Sequence, residues 1–182
     1  MNKSPEFSDQ LIAAIPGLRA FGVSLTSKAD RADDLVQETM LKAWKHHDSF
    51  EPGTNMKAWL YTILRNEFYS QIRKRKREVE DADGVYASRV AVPGAQLSHL
   101  DMADMRTALA QLPDDQREAV ILVGASGFSY EEAAEICGVA VGTIKSRVSR
   151  ARLRLTDILA LKPAEASRQD KSDNVSNART AA

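Results

Sequence analysis

The sequence lacks the residues on which disulfide-bonded, zinc-binding and membrane-spanning proteins depend. Its 182 residues include one cysteine, Cys137, and three histidines, which excludes an internal disulfide and a thiolate zinc cluster. No apolar run reaches the roughly 20 residues that cross a bilayer, and residues 1–10 lack the apolar core of a signal peptide. We therefore predict a cytoplasmic protein that contacts no membrane and holds no metal or cofactor.

The sequence also lacks the alternating β-branched runs from which sheets are built. Hydrophobic residues make up 43% of the chain, as in soluble globular proteins, and they recur at helical spacing. Residues 78–104 break this pattern with six acids and one cation. We predict an all-α protein of two small helical domains, with a flexible acidic linker between them and a disordered polar tail. The expected ranges are 5–77, 78–100 (linker), 101–161 and 162–182 (tail).

Proline, glycine and asparagine mark the expected limits of the helices. A first helix begins near Phe7 and ends at Pro16-Gly17, where a second begins because proline fits the first turn of a helix. Residues 49–55, SFEPGTN, have the composition of a loop. This loop separates a helix over about residues 29–47 from a long helix over about residues 56–76.

Each half of residues 129–155, SYEEAAEICGVAVGTIKSRVSRARLRL, lacks charge of one sign. The whole chain balances 25 Lys and Arg against 25 Asp and Glu. Here, however, three glutamates precede Gly138 without a cation, and five cations follow Gly142 without an acid. Two short helices on either side of Gly138 match the spacing of a helix-turn-helix, whose turn often needs the free φ of glycine.

The second of these helices has an apolar face and a cationic face. At about 100° per residue, four apolar residues fall together and should pack inward: Ile144, Val148, Ala151 and Leu155. The opposite face is small, polar and cationic, so it can enter a major groove of DNA. The flanking residues Arg147, Arg152 and Arg154 suit phosphate contacts better than base reading. Cations also favour helix C-termini, but five of them exceed what capping needs.

The long helix carries a polar stripe beside an apolar one. Trp59, Leu60, Ile63 and Leu64 cluster on one side. Thr62, Asn66, Tyr69 and Arg73 recur at helical spacing on another, with Arg65 and Lys76 beside them. An exposed aromatic residue among amides and cations is typical of proteins that bind single-stranded nucleic acid. The alternative for Tyr69 is core packing.

The helix over residues 29–47 places apolar side chains among outward-facing acids. Its inward face is expected to contain Ala32, Val36, Thr39, Met40 and Ala43. The residues that face outward, with Trp44 near their edge, are Asp34, Gln37, Glu38, Leu41 and Lys45. A leucine and a tryptophan among carboxylates suit a protein partner better than water, so we predict a protein-binding surface here.

In this order, the three faces resemble an extracytoplasmic-function (ECF) sigma factor, a two-domain bacterial factor that combines with core RNA polymerase to initiate transcription. DDLVQETMLKAW is similar to the region 2 helix that binds the clamp coiled coil of the largest polymerase subunit. SFEPGTNMKAWLYTILRNEFYSQIRKRKR is similar to the loop and helix that open and read the −10 element. LPDDQREAVILVGASGFSYEEAAEICGVAVGTIKSRVSRAR is similar to region 4, whose recognition helix reads the −35 element.

The resemblance implies a role for each face, and no enzymatic activity, because the polymerase performs the chemistry. Contacts with core polymerase are implied for Asp34, Gln37, Glu38, Leu41 and Trp44. Contacts with the −10 element are implied for Phe50, Asn55, Thr62, Arg65, Asn66, Tyr69, Arg73 and Lys76, and the loop over residues 50–55 would form part of a pocket for a flipped base. Contacts with the −35 element are implied for Thr143, Lys145, Ser146, Arg147, Ser149, Arg150 and Arg152.

The resemblance extends to one group of these factors. AWKHHDSFEPGTNMKAWLYTILRNEFYSQIRKRKRE is similar to the EcfG group, which directs the general stress response of alphaproteobacteria and is held inactive by an anti-sigma factor of the NepR type. The implied partners are core RNA polymerase, through its clamp coiled coil and flap, promoter DNA, and such an anti-sigma factor. Ala140 departs from the family pattern, since a serine or proline commonly precedes the recognition helix.

Two further points stay open from the sequence. A conventional helix-turn-helix regulator, acting as a dimer on a palindromic site, would explain residues 129–155 but not the Tyr69 stripe or the Leu41 surface. The acids of the linker lie near two basic faces along the chain. We therefore hypothesise that the linker and packing between the domains limit DNA binding by the free chain.

Overall fold

The structure, a computed structural model, describes residues 5–80 and 100–160. Over these residues the chain forms seven α-helices and one short 3₁₀ helix, without a strand. The helices are α1 (Pro5–Thr26), α2 (Ala29–Lys45), α3 (Met56–Glu80), α4 (Leu100–Ala110), α5 (Asp114–Gly124), α6 (Tyr130–Cys137) and α7 (Val141–Ala160). The all-α prediction is confirmed. Of the predicted linker, residues 78–80 end α3 and residue 100 begins α4; its remaining residues and the predicted tail lie outside the described residues.

Helix α1 corrects the prediction that a helix ends at Pro16-Gly17, because it runs unbroken through Pro16. Proline in a helix interior removes one backbone hydrogen bond and costs about 3 kcal/mol. Leu11 before the proline and Leu18 and Phe21 after it are all buried in the same core. Burial on one face therefore holds both halves of α1 in a single helix.

Helices α1, α2 and α3 pack into a bundle around aromatic and aliphatic side chains. The ring of Tyr61 stacks on that of Phe21 with 5.0 Å between centroids, and both are almost fully buried. The inward face predicted for α2 is confirmed: Ala32, Val36, Thr39 and Ala43 are buried and Met40 is partly buried. Helix α2 ends at Lys45, two residues earlier than predicted, and a 3₁₀ turn follows it. Helix α3 extends to Glu80, four residues beyond its predicted end.

Helices α6 and α7 form the predicted helix-turn-helix. Ser129 caps α6 in a capping box, in which its hydroxyl accepts a bond from the Glu132 amide and the Glu132 carboxylate accepts one from the Ser129 amide. Gly138 ends α6 with φ of 65°, in the left-handed region. On α7, Ile144, Val148 and Ala151 are buried as predicted and Leu155 is half-buried.

Replacing Gly138 by alanine is expected to lower the free energy of unfolding by about 1 kcal/mol, because the left-handed conformation is costly for residues with a Cβ. A Cβ on Gly138 would meet no atom within 4 Å, so the backbone alone determines the effect. Gly124→Ala is the matched control, since Gly124 is helical and its Cβ would also lie in open space. Urea denaturation should show this control unchanged or slightly stabilised. Equal losses in both variants would contradict this explanation.

Candidate functional site

The outer face of α2 forms one wall of an open apolar groove. The groove has a volume of about 880 Å³ and is lined by Gln37, Leu41 and Trp44 from the predicted protein-binding surface. Leu41 is 55% exposed and Trp44 is 46% exposed, which is unusual for side chains of this size. Asp34 is also exposed and Glu38 is half-buried. This groove, named here the α1–α2 groove, has mainly apolar walls, and Asp33 is the acidic residue of its lining.

The second wall of the α1–α2 groove comes from α1 and was missed by the sequence analysis. Leu11, Ile12 and Ile15 line it, and Ile12 is 63% exposed. Arg19 and Asp33 close one end with an ion pair of 2.6 Å between Nε and Oδ1. The signal was present in the sequence: α1 carries more apolar residues than one inward face can bury. The predicted helix break at Pro16 concealed it.

The polar stripe predicted on α3 divides into two faces. Asn66 and Arg73 line a pocket of about 400 Å³ between α2 and α3, beside Trp59, His46 and the Lys42–Glu67 ion pair. Asn66 and Arg73 are exposed. This α2–α3 pocket presents an amide, cations and an aromatic ring. Of Lys76, the structure describes the backbone within α3.

The other face of α3 carries Thr62, Arg65 and Tyr69, and the side chains of Arg65 and Tyr69 reach Glu118 of α5. Arg65 Nε donates to Glu118 Oε1 at 2.7 Å, and Tyr69 Oη donates to Glu118 Oε2 at 3.4 Å. The Arg65 guanidinium also lies 4.7 Å from the centre of the Tyr69 ring. The expectation that Tyr69 is exposed is therefore wrong, because its side chain is partly buried and its hydroxyl contacts Glu118 of α5. Thr62 donates to the Ala58 carbonyl within its own helix.

Burial sets the protonation of the groups around Glu118. The Glu118 side chain is 1% exposed, and burial raises the pKa of its carboxyl, against the opposing effect of Arg65. Burial, and after it the charge of Glu118, raises the pKa of Tyr69 to about 12, so the phenol is a donor at neutral pH. Burial likewise raises the pKa of Cys137 to about 12. Cys137 is therefore a buried thiol of the helix-turn-helix, as expected.

The loop before α3 positions two further predicted residues. Asn55 Oδ1 accepts from the Ala58 amide at 3.1 Å and so caps α3, while its Nδ2 donates to Glu132 Oε1 at 2.6 Å. Phe50 packs on Trp59 with ring centres 5.2 Å apart and on Phe7 at 6.0 Å. Phe50 thus anchors the loop through an aromatic cluster, which lies beside the α2–α3 pocket.

The outward face of α7 is open and cationic. Lys145, Ser149, Arg150 and Arg152 are exposed, and Thr143 and Ser146 are half-buried. Ser146 donates to the Thr143 carbonyl at 2.9 Å and accepts from Arg150 at 3.4 Å, which orients the guanidinium along the helix. Arg147 differs from these residues, because its Nε lies 3.1 Å from Asp115 of α5. Charge on this face therefore comes mainly from Lys145, Arg150 and Arg152.

Comparison with protein families gives a match for each of the two parts of the chain. The model for Sigma-70 region 2 matches residues 12–78, and the model for Sigma-70, region 4 matches residues 102–155. The chain is 62% identical over 157 residues to the ECF RNA polymerase sigma factor EcfG of Rhodopseudomonas palustris, covering 86% of this chain and 87% of that protein. It is 36% identical to SigE of Mycolicibacterium smegmatis, covering 75% of this chain and 54% of that one. The chain belongs to the ECF RNA polymerase sigma factors.

Solved structures show the same similarity. One is the sigma factor RpoE in complex with the anti-sigma factor NepR from Bartonella quintana, with a TM-score of 0.79, 60% identity, and coverage of 87% of this chain and 99% of that one. Another is CnrH in complex with the cytosolic domain of CnrY, with a TM-score of 0.65, 26% identity, and coverage of 86% and 88%. Among the described residues, no helix has the length and apolarity needed to cross a bilayer.

Proposed function

We propose that this sigma factor directs core RNA polymerase to promoters of general stress response genes, and that its surfaces divide the work as the sequence analysis expected. The observation that carries this proposal is the presence, on one chain, of the α1–α2 groove, the polar faces of α3 and the cationic face of α7. The high identity to EcfG supports the stress-response assignment. The chain itself catalyses nothing in this proposal and works in the cytoplasm, where polymerase and promoter lie.

Core polymerase binds at the α1–α2 groove in this account. Leu41 and Trp44 supply apolar contact area, and Gln37 supplies a polar group in the lining. Asp34 and Glu38, on the same helix but outside the groove lining, are proposed to orient the partner. Such a groove suits a helix with an apolar stripe and flanking cations. Region 4, with α5 to α7, is expected to contact the polymerase flap.

An anti-sigma factor of the NepR type is the proposed inhibitor. The similarity to a sigma factor solved with NepR supports this partner. An inhibitor that covers the α1–α2 groove would exclude core polymerase, so the two should bind in competition. A dimeric helix-turn-helix regulator is not favoured, because it gives the region 2 match no role.

The −10 element is proposed to contact both faces of α3 together with the loop before it. Unpaired bases would meet Asn66 and Arg73 at the α2–α3 pocket, beside the aromatic cluster that holds Phe50. Stacking or capture of each base contributes about 1–3 kcal/mol. Asn55, Arg65 and Tyr69 would extend this contact once region 4 no longer contacts them. Thr62 and Lys76 are also proposed to contribute.

Asn66→Ala and Arg73→Ala are each expected to weaken binding of the polymerase complex to a promoter fork with a single-stranded −10 element by about tenfold. Fluorescence anisotropy at fixed salt measures this. Arg75→Ala is the matched control, because Arg75 is an exposed cation of the same helix that does not line the α2–α3 pocket. Equal losses for Arg73→Ala and Arg75→Ala would mean that charge alone matters, and would contradict the proposed site.

A further inference from the structure

The two matched regions touch each other at α1, which packs on α5, and at the face of α3 that is expected to read DNA. Arg65 and Tyr69 belong to region 2, and their shared partner Glu118 belongs to region 4. Arg65 and Glu118 are 53 residues apart in the sequence, and the carboxylate is buried in the contact. A buried carboxylate is costly unless it is paired and hydrogen-bonded. The pairing with Arg65 and Tyr69 is therefore what makes this position of Glu118 tolerable.

A second set of contacts joins residues 55–61, at the start of α3, to residues 126–132, at the start of α6. Asn55 donates to Glu132 at 2.6 Å, and Lys57 Nζ donates to the Ser126 carbonyl. The Tyr61 ring meets the edge of the Phe128 ring at 4.9 Å, and Lys57 lies 4.8 Å from the centre of that ring. Two carboxylates thus engage this side of region 2, one at each end of a partly apolar contact.

The partners that region 4 offers are chemically similar to those of a DNA strand. The guanidinium of Arg65, the phenol of Tyr69 and the amide of Asn55 all donate hydrogen bonds, which on DNA would go to phosphate or base oxygens. Here carboxylate oxygens accept them. The cationic face of α7 is in contrast exposed at Lys145, Ser149, Arg150 and Arg152. The contact between the regions covers part of one DNA-binding face and leaves the other open.

We propose that Glu118 and Glu132 act as intramolecular competitors of the unpaired −10 strand, so that the free chain masks this face of α3 while its −35 face stays accessible. The inference rests on the proposed function, since it takes α3 as the reader of the −10 element. It refines the hypothesis from the sequence in two ways. Acids within region 4, rather than those of the linker, supply the competition, and the masked face is that of α3.

The closed arrangement lowers apparent affinity in proportion to the fraction of open molecules. A change that weakens the contact should therefore strengthen −10 binding by the free chain without any new contact to DNA. Glu118→Gln removes the charge and retains the shape of the side chain, which leaves the half-buried Arg65 without its counter-ion. Lys57→Ala removes the bond to Ser126 and the contact with Phe128 from an exposed position. Neither residue is among those assigned to DNA.

Anisotropy with a single-stranded −10 oligonucleotide and small-angle scattering of the free chain test the proposal. Glu118→Gln should bind the oligonucleotide about tenfold more tightly than the parent chain and show a larger radius of gyration. Lys57→Ala should gain severalfold. Glu135→Gln is the matched control, because Glu135 is an exposed carboxylate of α6, and it should change neither quantity. Binding to a −35 duplex should stay the same in all four proteins.

Unchanged −10 binding and unchanged dimensions in Lys57→Ala and in a folded Glu118→Gln would overturn the proposal. If circular dichroism shows Glu118→Gln to be unfolded, Lys57→Ala decides alone, since that side chain lies at the surface. Transcription by core polymerase with the parent chain distinguishes a failure of the masking proposal from a failure of the proposed sigma-factor function. Promoter-specific transcripts together with unchanged variants would reject the masking and keep the sigma-factor assignment.

Discussion

Leu41→Asp is expected to reduce binding of core RNA polymerase at least about 100-fold. Leu41 is more than half exposed and lines the α1–α2 groove, so the free chain should fold normally without it. Anchor residues in such grooves contribute about 2–4 kcal/mol, and an unpaired carboxylate buried by the partner adds a further cost. Surface plasmon resonance with immobilised core polymerase, without DNA, measures the loss directly.

The matched control for Leu41→Asp is Ile72→Asp. Ile72 is 39% exposed and lies on α3, away from the α1–α2 groove. The same substitution there should change core binding less than about twofold, within the range of a neutral surface change. Ile12→Asp, on the opposite wall of the groove, should behave like Leu41→Asp. Wild-type affinity in both groove variants would show that polymerase binds elsewhere.

The double variant Lys145→Glu and Arg150→Glu is expected to bind a −35 duplex at least about 100-fold more weakly. Each good contact between such a cation and a base is worth about 1–3 kcal/mol, and reversal adds repulsion from phosphates. Both side chains are exposed on the outward face of α7, opposite the buried Ile144 and Val148. Stability should therefore change little, and titration of duplex DNA at constant salt reports binding alone.

A control with the same change in net charge separates the α7 face from general electrostatics. Lys28→Glu with Arg31→Glu reverses two exposed cations at the start of α2. Because these positions are far from α7 along the chain and in region 2, the expected loss on the −35 duplex is less than about threefold at physiological salt. Similar losses in the two double variants would contradict recognition by α7.

The helix faces were predictable from the sequence because periodicity is a local property. Ile144, Val148 and Ala151 recur at helical spacing, and they are buried. The same spacing identified Leu41 and Trp44 as outward-facing apolar residues, and both are exposed. The helix break predicted at Pro16 was wrong because the rule for proline considers only the local chain. Apolar side chains on both sides of Pro16 pack into the core, and losing this packing would cost more free energy than keeping proline inside a helix.

The contact between the regions was not predictable in detail. Arg65 and Glu118 are separated by 53 positions, and nothing in a local pattern says which cation meets which acid. The sequence showed the acids of α6 and left their partner unnamed; Glu132 pairs with Asn55. Tyr69 was correctly placed beside Arg65, but its exposure depends on where region 4 lies. Single-chain patterns constrain faces, whereas partners of those faces require the tertiary structure.

Promoter-directed transcription shows whether this chain acts as a sigma factor. Core polymerase would be supplied with a template carrying a general stress promoter, with and without this protein, and transcripts would be mapped to their start. We expect a specific transcript that depends on the protein. It should disappear with Leu41→Asp and with the double variant Lys145→Glu and Arg150→Glu. Absence of that transcript from a folded protein, with tight binding of a palindromic duplex by a dimer, would contradict this expectation.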